Sequence, residues 1–286
     1  MKNKRIYNKL HILSISYRSD HLIDNFIKQF NKKFRITLVE NSNNFLLKKQ
    51  LEKKYKNLDV IISGKNLGFG KAFNLGIKRI NSKCKYVLHV NPDAKINKKN
   101  INKLFKFLEQ NKSAAIVSPR EVLKRKSKNK AIKKKQNFVE VESIRGFVMM
   151  LNIKNCKKTN FFDENFFLYM EEADFCKRLK FLNKKIYLLE SAEAEHLGGK
   201  SHNPKFNFKM ELQRNWHFMW SLYYFYKKHY GLYFALKVTI RRFISSFFKK
   251  YFYLIINNNK KHLIYKYRFD GLLNSYLNKK SFLRIF

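Results

Sequence analysis

Four short runs hold residues whose types and spacing suit chemistry on a charged substrate. The first, residues 86–94 (YVLHVNPDA), ends an apolar stretch in Asn91-Pro92-Asp93. An acid at the end of a strand suits a divalent cation bridging a diphosphate, because Mg2+ and Mn2+ prefer oxygen ligands. Taken alone, Asn-Pro-Asp is equally an ordinary turn, with Pro92 presetting its backbone. The second run, 65–76 (KNLGFGKAFNLG), places Gly68 and Gly70 before a helix whose N-terminus can face phosphate or ribose. Its glycine spacing is that of neither a dinucleotide fingerprint nor a P-loop, and a plain loop-to-helix junction also accounts for it. The third, 161–181 (FFDENFFLYMEEADFCKRLKF), gathers Glu171, Glu172 and Asp174 at a helix start. There they complement the helix dipole, or one of them serves as the general base toward an acceptor hydroxyl. Arg178 follows Asp174 by one helical turn, the spacing of an intrahelical ion pair. The fourth, 193–201 (EAEHLGGKS), ends a strand at His196 among acids, where a histidine is either structural or a metal ligand.

The elements that must position these residues alternate. Apolar runs at 10–16, 35–40, 58–62, 85–90 and 114–118 read as strands. Amphipathic stretches at 20–30, 45–55, 68–80 and 100–110 read as helices. This rhythm predicts a Rossmann-like, mostly parallel sheet flanked by helices. Ligands of such sheets bind beyond the carboxyl ends of the strands, which here carry Glu40-Asn41-Ser42, Lys65-Asn66 and Asn91-Pro92-Asp93. The rhythm breaks at 119–136, a lysine-rich run that reads as a solvated loop or a phosphate or lipid contact. Strands at 138–144 and 147–151 flank Arg145-Gly146, a helix follows at 171–182, and a short strand at 186–189 leads to His196. The predicted division is a catalytic domain over 1–206 and an aromatic-rich, basic helical extension over 207–286.

In that extension, 208–230 and 232–256 read as helices. They interleave Trp216, Trp220, Tyr223, Phe243, Phe247 and Tyr251 with Arg241-Arg242 and Lys249-Lys250, two pairs eight residues apart on one side of a helix. Such helices lie in a membrane interface or fold back on the catalytic domain. The whole chain carries 62 Lys and Arg against 20 Asp and Glu, a net charge of +42, which favours a polyanionic partner. An AT-rich genome's lysine codons account for about half of that excess. The three cysteines, Cys84, Cys156 and Cys176, show neither metal spacing nor a disulfide framework and fit a reducing cytosol. No stretch reaches the ~18 uncharged apolar residues of a membrane span, and the N-terminus lacks a cleavage site, so a first strand rather than a signal peptide is expected.

Taken in order, Glu40-Asn41-Ser42, NLGFGKAFN, NPDA, Gly146-Phe147, FFDENFFLYMEEADFCKRL and EHLGGKS resemble family 2 glycosyltransferases of the rhamnosyltransferase-like group, over about residues 10–202. The resemblance implies a GT-A fold and an inverting displacement. A sugar, such as the deoxyhexose L-rhamnose, would pass from a nucleoside-diphosphate donor to a bacterial cell-envelope polysaccharide or lipid-linked acceptor. It further implies a dTDP- or UDP-linked donor, a Mn2+ or Mg2+ cofactor, and a place at the cytoplasmic face of an anionic plasma membrane. By position, Glu40, Asn66, Gly68, Asn74, Asn91 and Gly146 would line the nucleotide-sugar pocket, and Asp93 and His196 would hold the metal. Glu172 would stand where the family places its catalytic aspartate, with Glu171 and Asp174 beside it. Three departures stand out: Asn91 replaces the first acid of an Asp-x-Asp pattern, Glu172 replaces Asp, and Asn160-Phe161 replaces a Gly-Gly pair. One rival reading is a nucleotidyltransferase, which would need a glycine-rich phosphate loop after the first strand, where SISYRSD stands. The other is a basic nucleic-acid-binding protein, for which no binding module is recognisable. A nucleic-acid partner is therefore not expected.

Overall fold

In a computed structural model, residues 2–122, 137–196 and 204–285 are described; the lysine-rich run at 124–135 and the Gly198-Gly199 turn lie outside them. The chain forms two compact units. One is built from the residues up to Leu67, from Lys71–Phe162 and from Phe175 onward to His196. The other is built from Gly68–Gly70, Asp163–Asp174 and the residues from Pro204. The helices of the second unit begin at Asn207, and that unit also takes up two short segments from earlier in the chain.

The first unit opens with α1 (Lys2–Lys9), a helix where the sequence shows only a basic stretch before the first strand. It continues β1 (Leu10–Ser16), α2 (Asp20–Lys28), β2 (Arg35–Glu40), α3 (Phe45–Lys54), β3 (Leu58–Ile62), α4 (Phe69–Arg79), β4 (Tyr86–Val90), β5 (Ala94–Lys95), α5 (Lys98–Gln110) and β6 (Ala114–Val122). It closes with β7 (Phe138–Glu140), β8 (Val148–Asn152), α6 (Ile153–Cys156), α7 (Glu171–Phe181), whose first turn belongs to the second unit, and β9 (Lys185–His196). The sheet order is β3-β2-β1-β4-β8-β6-β9-β5, with β7 on β9. Strands β1 to β4 run parallel, as expected for apolar runs buried on both faces. Beyond β4 the sheet is mixed, because β8 pairs antiparallel with both β4 and β6. Ile23, Phe26 and Ile27 of α2 and Ile101, Leu104 and Leu108 of α5 bury into one core with Ile12, Leu38 and Leu88 of the strands. Side chains of Asn44 and Asn97 cap α3 and α5 by accepting from Leu47 N and Asn100 N.

Two further departures from the sequence pattern bear on the site. Strand β9 runs to His196 rather than ending at Leu189, with an irregularity in its pairing to β6 after Pro119. The two-residue β5 pairs with its far end, Ala94 opposite His196.

The second unit is a helical hairpin of α8 (Asn207–Ile255) and α9 (Asn259–Tyr276). Helix α8 breaks at Gly231, whose φ of 84° and ψ of 172° are not helical, between the two helices expected from the sequence. Trp216, Trp220 and Tyr223 are buried in this unit rather than presented to a membrane. Trp220 donates to Lys279 O, and Tyr223 meets the Tyr276 ring at 4.7 Å. A Cβ on Gly271 would fall 2.3 Å from Trp216 O, so glycine sets the close approach of α9 to α8.

Candidate active site

At the carboxyl end of β4, Asp93 is 3% exposed and its Oδ1 accepts no hydrogen bond among the described residues. His196 Nε2 stands 3.5 Å away, an ion-pair distance rather than a well-made hydrogen bond. The other ring nitrogen, Nδ1, faces Glu121 Oε1 at 3.3 Å. Phe147 stacks on the ring at 4.9 Å and 12°, fixing its plane. Asp93, and behind it Glu121, raise the pKa of His196 against the opposing pull of burial. The pairing of β5 with β9 brings these two residues together from distant parts of the unit's sequence. A buried carboxylate oxygen without a donor, beside an imidazole nitrogen backed by a second carboxylate, is a donor set that fits a divalent cation. Two protein ligands leave room for diphosphate and water oxygens, the way Mg2+ is usually bound. Among the described residues no group of three or more His, Cys, Asp or Glu forms a metal cluster.

Asn91, just before Asp93, is positioned by His89. The fully buried His89 ring meets Leu13 O at 3.1 Å through Nδ1 and the Asn91 side-chain amide at 3.0 Å through Nε2. Burial lowers its pKa to about 4, so the ring is neutral at physiological pH. Gly146 lies next to Phe147, whose carbonyl accepts from Asn91 N at 2.8 Å.

The residues expected to line the nucleotide pocket divide into two kinds, those that close turns and those that hold backbone. Glu40 is fully buried. Its carboxylate accepts from the backbone and hydroxyl of Ser42 and from Asn44 N, which closes the turn after β2. Asn41, part of the same motif but not among the expected pocket residues, ties this turn to the next one. It donates to Asn66 Oδ1 at 3.1 Å and accepts from Leu67 N at 2.9 Å. Asn74 clamps the backbone of Phe162 through both ends of its amide, at 2.8 and 3.1 Å. Within the second unit, Gly68 has φ +76°, and a Cβ there would fall 2.2 Å from Phe167 O.

In the second unit Glu171, Glu172 and Asp174 begin α7, directly after Tyr169 and Met170, two consecutive non-glycine residues with φ of 68° and 65°. Such strain persists only where the surroundings impose it, and it gathers at functional sites. Glu171 is 4% exposed with an unpartnered Oε2, and burial, then the Glu172 charge, pushes its carboxyl well above the usual carboxylate range. Glu172 is half-buried. Asp174 is fully buried against Lys228 Nζ at 2.6 Å and His229 Nε2 at 2.8 Å. Lys228 also holds Asp163 Oδ2 at 2.7 Å, and Tyr224 donates to the same oxygen. In the first unit, Asn160 and Phe161 have φ of 54° and 59°. Left-handed backbone explains why Gly-Gly suits this place. Arg178 holds the loop by donating to Thr159 O and Phe161 O at 2.6 and 2.5 Å.

The profile of glycosyl transferase family 2 matches residues 20–175. The low-salt glycan biosynthesis hexosyltransferase Agl10 of Haloferax volcanii is 27% identical over 210 residues, 65% of this chain and 66% of its own, so the match spans just under two thirds of that relative. Rhamnosyltransferase WbbL of Escherichia coli is 22% identical over 65% of this chain and 83% of its own. Among solved structures, the mannosyltransferase PcManGT of Pyrobaculum calidifontis, in complex with GDP-Man and Mn2+, superposes with a TM-score of 0.59 at 8% identity, over 95% of this chain and 88% of that one. GalNAc-T7 with UDP, GalNAc and Mn2+ superposes at 0.54 and 10% identity, over 66% of this chain and 43% of that one. The shared architecture is the GT-A fold.

Proposed function

The chain belongs to glycosyl transferase family 2 and is a glycosyltransferase, and from that premise we propose that it moves a deoxyhexose such as L-rhamnose from a dTDP- or UDP-linked donor, with inversion, to a cell-envelope polysaccharide or lipid-linked acceptor at an anionic membrane surface. The observation that carries this reading is the buried, donor-free Oδ1 of Asp93 beside His196 at the carboxyl end of the parallel strands. Asp93 and His196 would hold a Mn2+ or Mg2+ ion, which when bound neutralises the charge of a departing diphosphate. The Mn2+ named for both PcManGT and GalNAc-T7, with GDP-Man in the one and UDP and GalNAc in the other, supports that assignment. Support for the sugar comes from WbbL, a rhamnosyltransferase, and from Agl10, a hexosyltransferase.

Each polar residue then has a task. The turn closed by Glu40 and the link from Asn41 to Asn66 hold the strand ends in register for a nucleotide. Asn91 and Gly146 hold the corner around Asp93. Glu172 takes the proton of the acceptor hydroxyl as that oxygen attacks the anomeric carbon from the side opposite the diphosphate, whose bond to the carbon breaks. Burial pushes the Glu171 carboxyl well above the usual range and so disfavours a second charge beside the base, and Asp174 anchors the helix start through Lys228 and His229.

A thermal-shift screen of dTDP- and UDP-sugars with and without Mn2+ tests the reading. A true donor raises the melting temperature by mass action, and only in the presence of the metal. No stabilisation by any member of either class would remove it.

A further inference from the structure

The outer half of α8, residues 232–255, has two unlike sides. Ala235, Thr239 and Ser246 are buried, and Phe243 stacks on Phe269 of α9 at 4.7 Å, so this side is covered by the hairpin partner. On the other side, steps of three, four and seven residues align Tyr233, Ile240, Ile244, Phe248, Tyr251 and Ile255 into one stripe. All six are exposed, Tyr233 at 81%, Phe248 at 66% and Ile255 at 79%. The stripe runs about 33 Å, at 1.5 Å per residue.

Cations accompany it. Lys237, one turn after Tyr233, lies within the stripe and Arg241 at its edge, while Arg242 and Lys249 lie away from it. All four are exposed, and residues 232–256 contain no acid. Of the two cation pairs that the sequence places on one side of the helix, the second is engaged with rings. Lys250 is half-buried with its ammonium 4.5 Å from the Tyr251 and Phe269 ring centres, and Lys249 lies over Tyr265. No described helix is long and apolar enough to cross a bilayer.

We infer that this stripe is the surface by which the protein lies on an anionic lipid leaflet. Its aromatic and aliphatic side chains sink into the interface, and Lys237 and Arg241 reach up to headgroup level. Uniform positive charge selects this occupant over a second copy of the same face, which would bring like charges together, whereas lipid phosphates complement them. The inference rests on the proposed membrane reading and narrows it: apolar insertion, not the four cations alone, holds the protein in place.

Sedimentation of the full chain with vesicles of phosphatidylserine and phosphatidylcholine tests it. The comparison is wild type against an Ile244→Gln, Phe248→Gln, Ile255→Gln triple variant, with circular dichroism as the check on folding. The wild type should pellet with the anionic vesicles. The folded triple variant should lose at least about tenfold in partitioning, since its charge is unchanged and only apolar area is removed. As a second readout, a Phe248→Trp variant should show blue-shifted tryptophan emission on adding those vesicles. A wild type that binds no vesicle overturns the membrane reading and the inference together. A wild type that binds, with a triple variant that binds equally or a Phe248→Trp variant whose emission does not move, overturns the stripe alone. A wild-type dimer by light scattering that the triple variant turns into a monomer assigns the face to a second copy and overturns it as well.

Discussion

Lys228 reaches across to Asp174, placing its ammonium 2.6 Å from a carboxylate that is wholly removed from solvent. One lysine on α8 thereby neutralises the first turn of α7 and, through Asp163, the turn before it. Lys228→Met should destabilise the protein by about 2–4 kcal/mol, because it leaves the buried Asp174 and the half-buried Asp163 with fewer partners. Urea denaturation measures this directly, and a loss below about 0.5 kcal/mol would mean the pair is screened like a surface bridge.

The two glutamates at the start of α7 differ in environment more than in sequence. Glu172→Gln should lower turnover by about 10²–10⁴-fold while donor affinity holds, as expected when a general base is removed. Glu171→Gln should be far milder, because burial already favours the neutral form of that carboxyl and glutamine is close to it in shape. Single-turnover kinetics of both variants would reassign the base if the ranking were reversed.

His89 makes stability depend on pH. Its pKa is lowered from the ordinary 6.5 to about 4 in the folded protein, so above pH 6.5 the ring is neutral in both states and its hydrogen bonds are intact. As pH falls from 6.5 toward 4 the unfolded chain takes up the proton first, and roughly 3 kcal/mol of stability is lost. His11 and His217, lowered to about 4 and about 3 by burial, add to the same slope. Replacing His89 with Gln should flatten the slope by about one proton between pH 6.5 and 4. Urea midpoints at pH 7, 5.5 and 4.5 that fall equally in variant and wild type would contradict this.

Much of the framework is legible because apolar runs bounded by polar turns have few other places to go. The boundaries of β1, β2 and β3 match the apolar runs, and Gly231 marks the break in α8 because only glycine takes that backbone without cost. The pairing of Asp93 with His196 is not legible as geometry. It depends on β5, two residues long, and on a β9 that continues through Glu190–His196, where only the small Ala192 and Ala194 alternate with acids and no bulky apolar residue marks a strand. Nor do side-chain types reveal that Asn74 and Arg178 are spent on backbone carbonyls, since an asparagine or arginine in a motif reads as a ligand contact until the loop it holds is seen. Asn160-Phe161 is the instructive departure: the Gly-Gly it replaces signals a left-handed turn, and the turn survives without the glycines.

The role of Asp93 as a metal ligand is tested most directly by calorimetric titration of UDP and dTDP into wild type and Asp93→Asn, each with Mn2+ and with EDTA. Asparagine keeps the size of the side chain and removes the charge that a cation needs. Wild type should bind at least one of the two nucleotides in a Mn2+-dependent way. Asp93→Asn, with an unchanged melting temperature, should weaken this binding by at least about tenfold. Equal Mn2+-dependent affinity in the two proteins would contradict the metal site and the donor chemistry built on it.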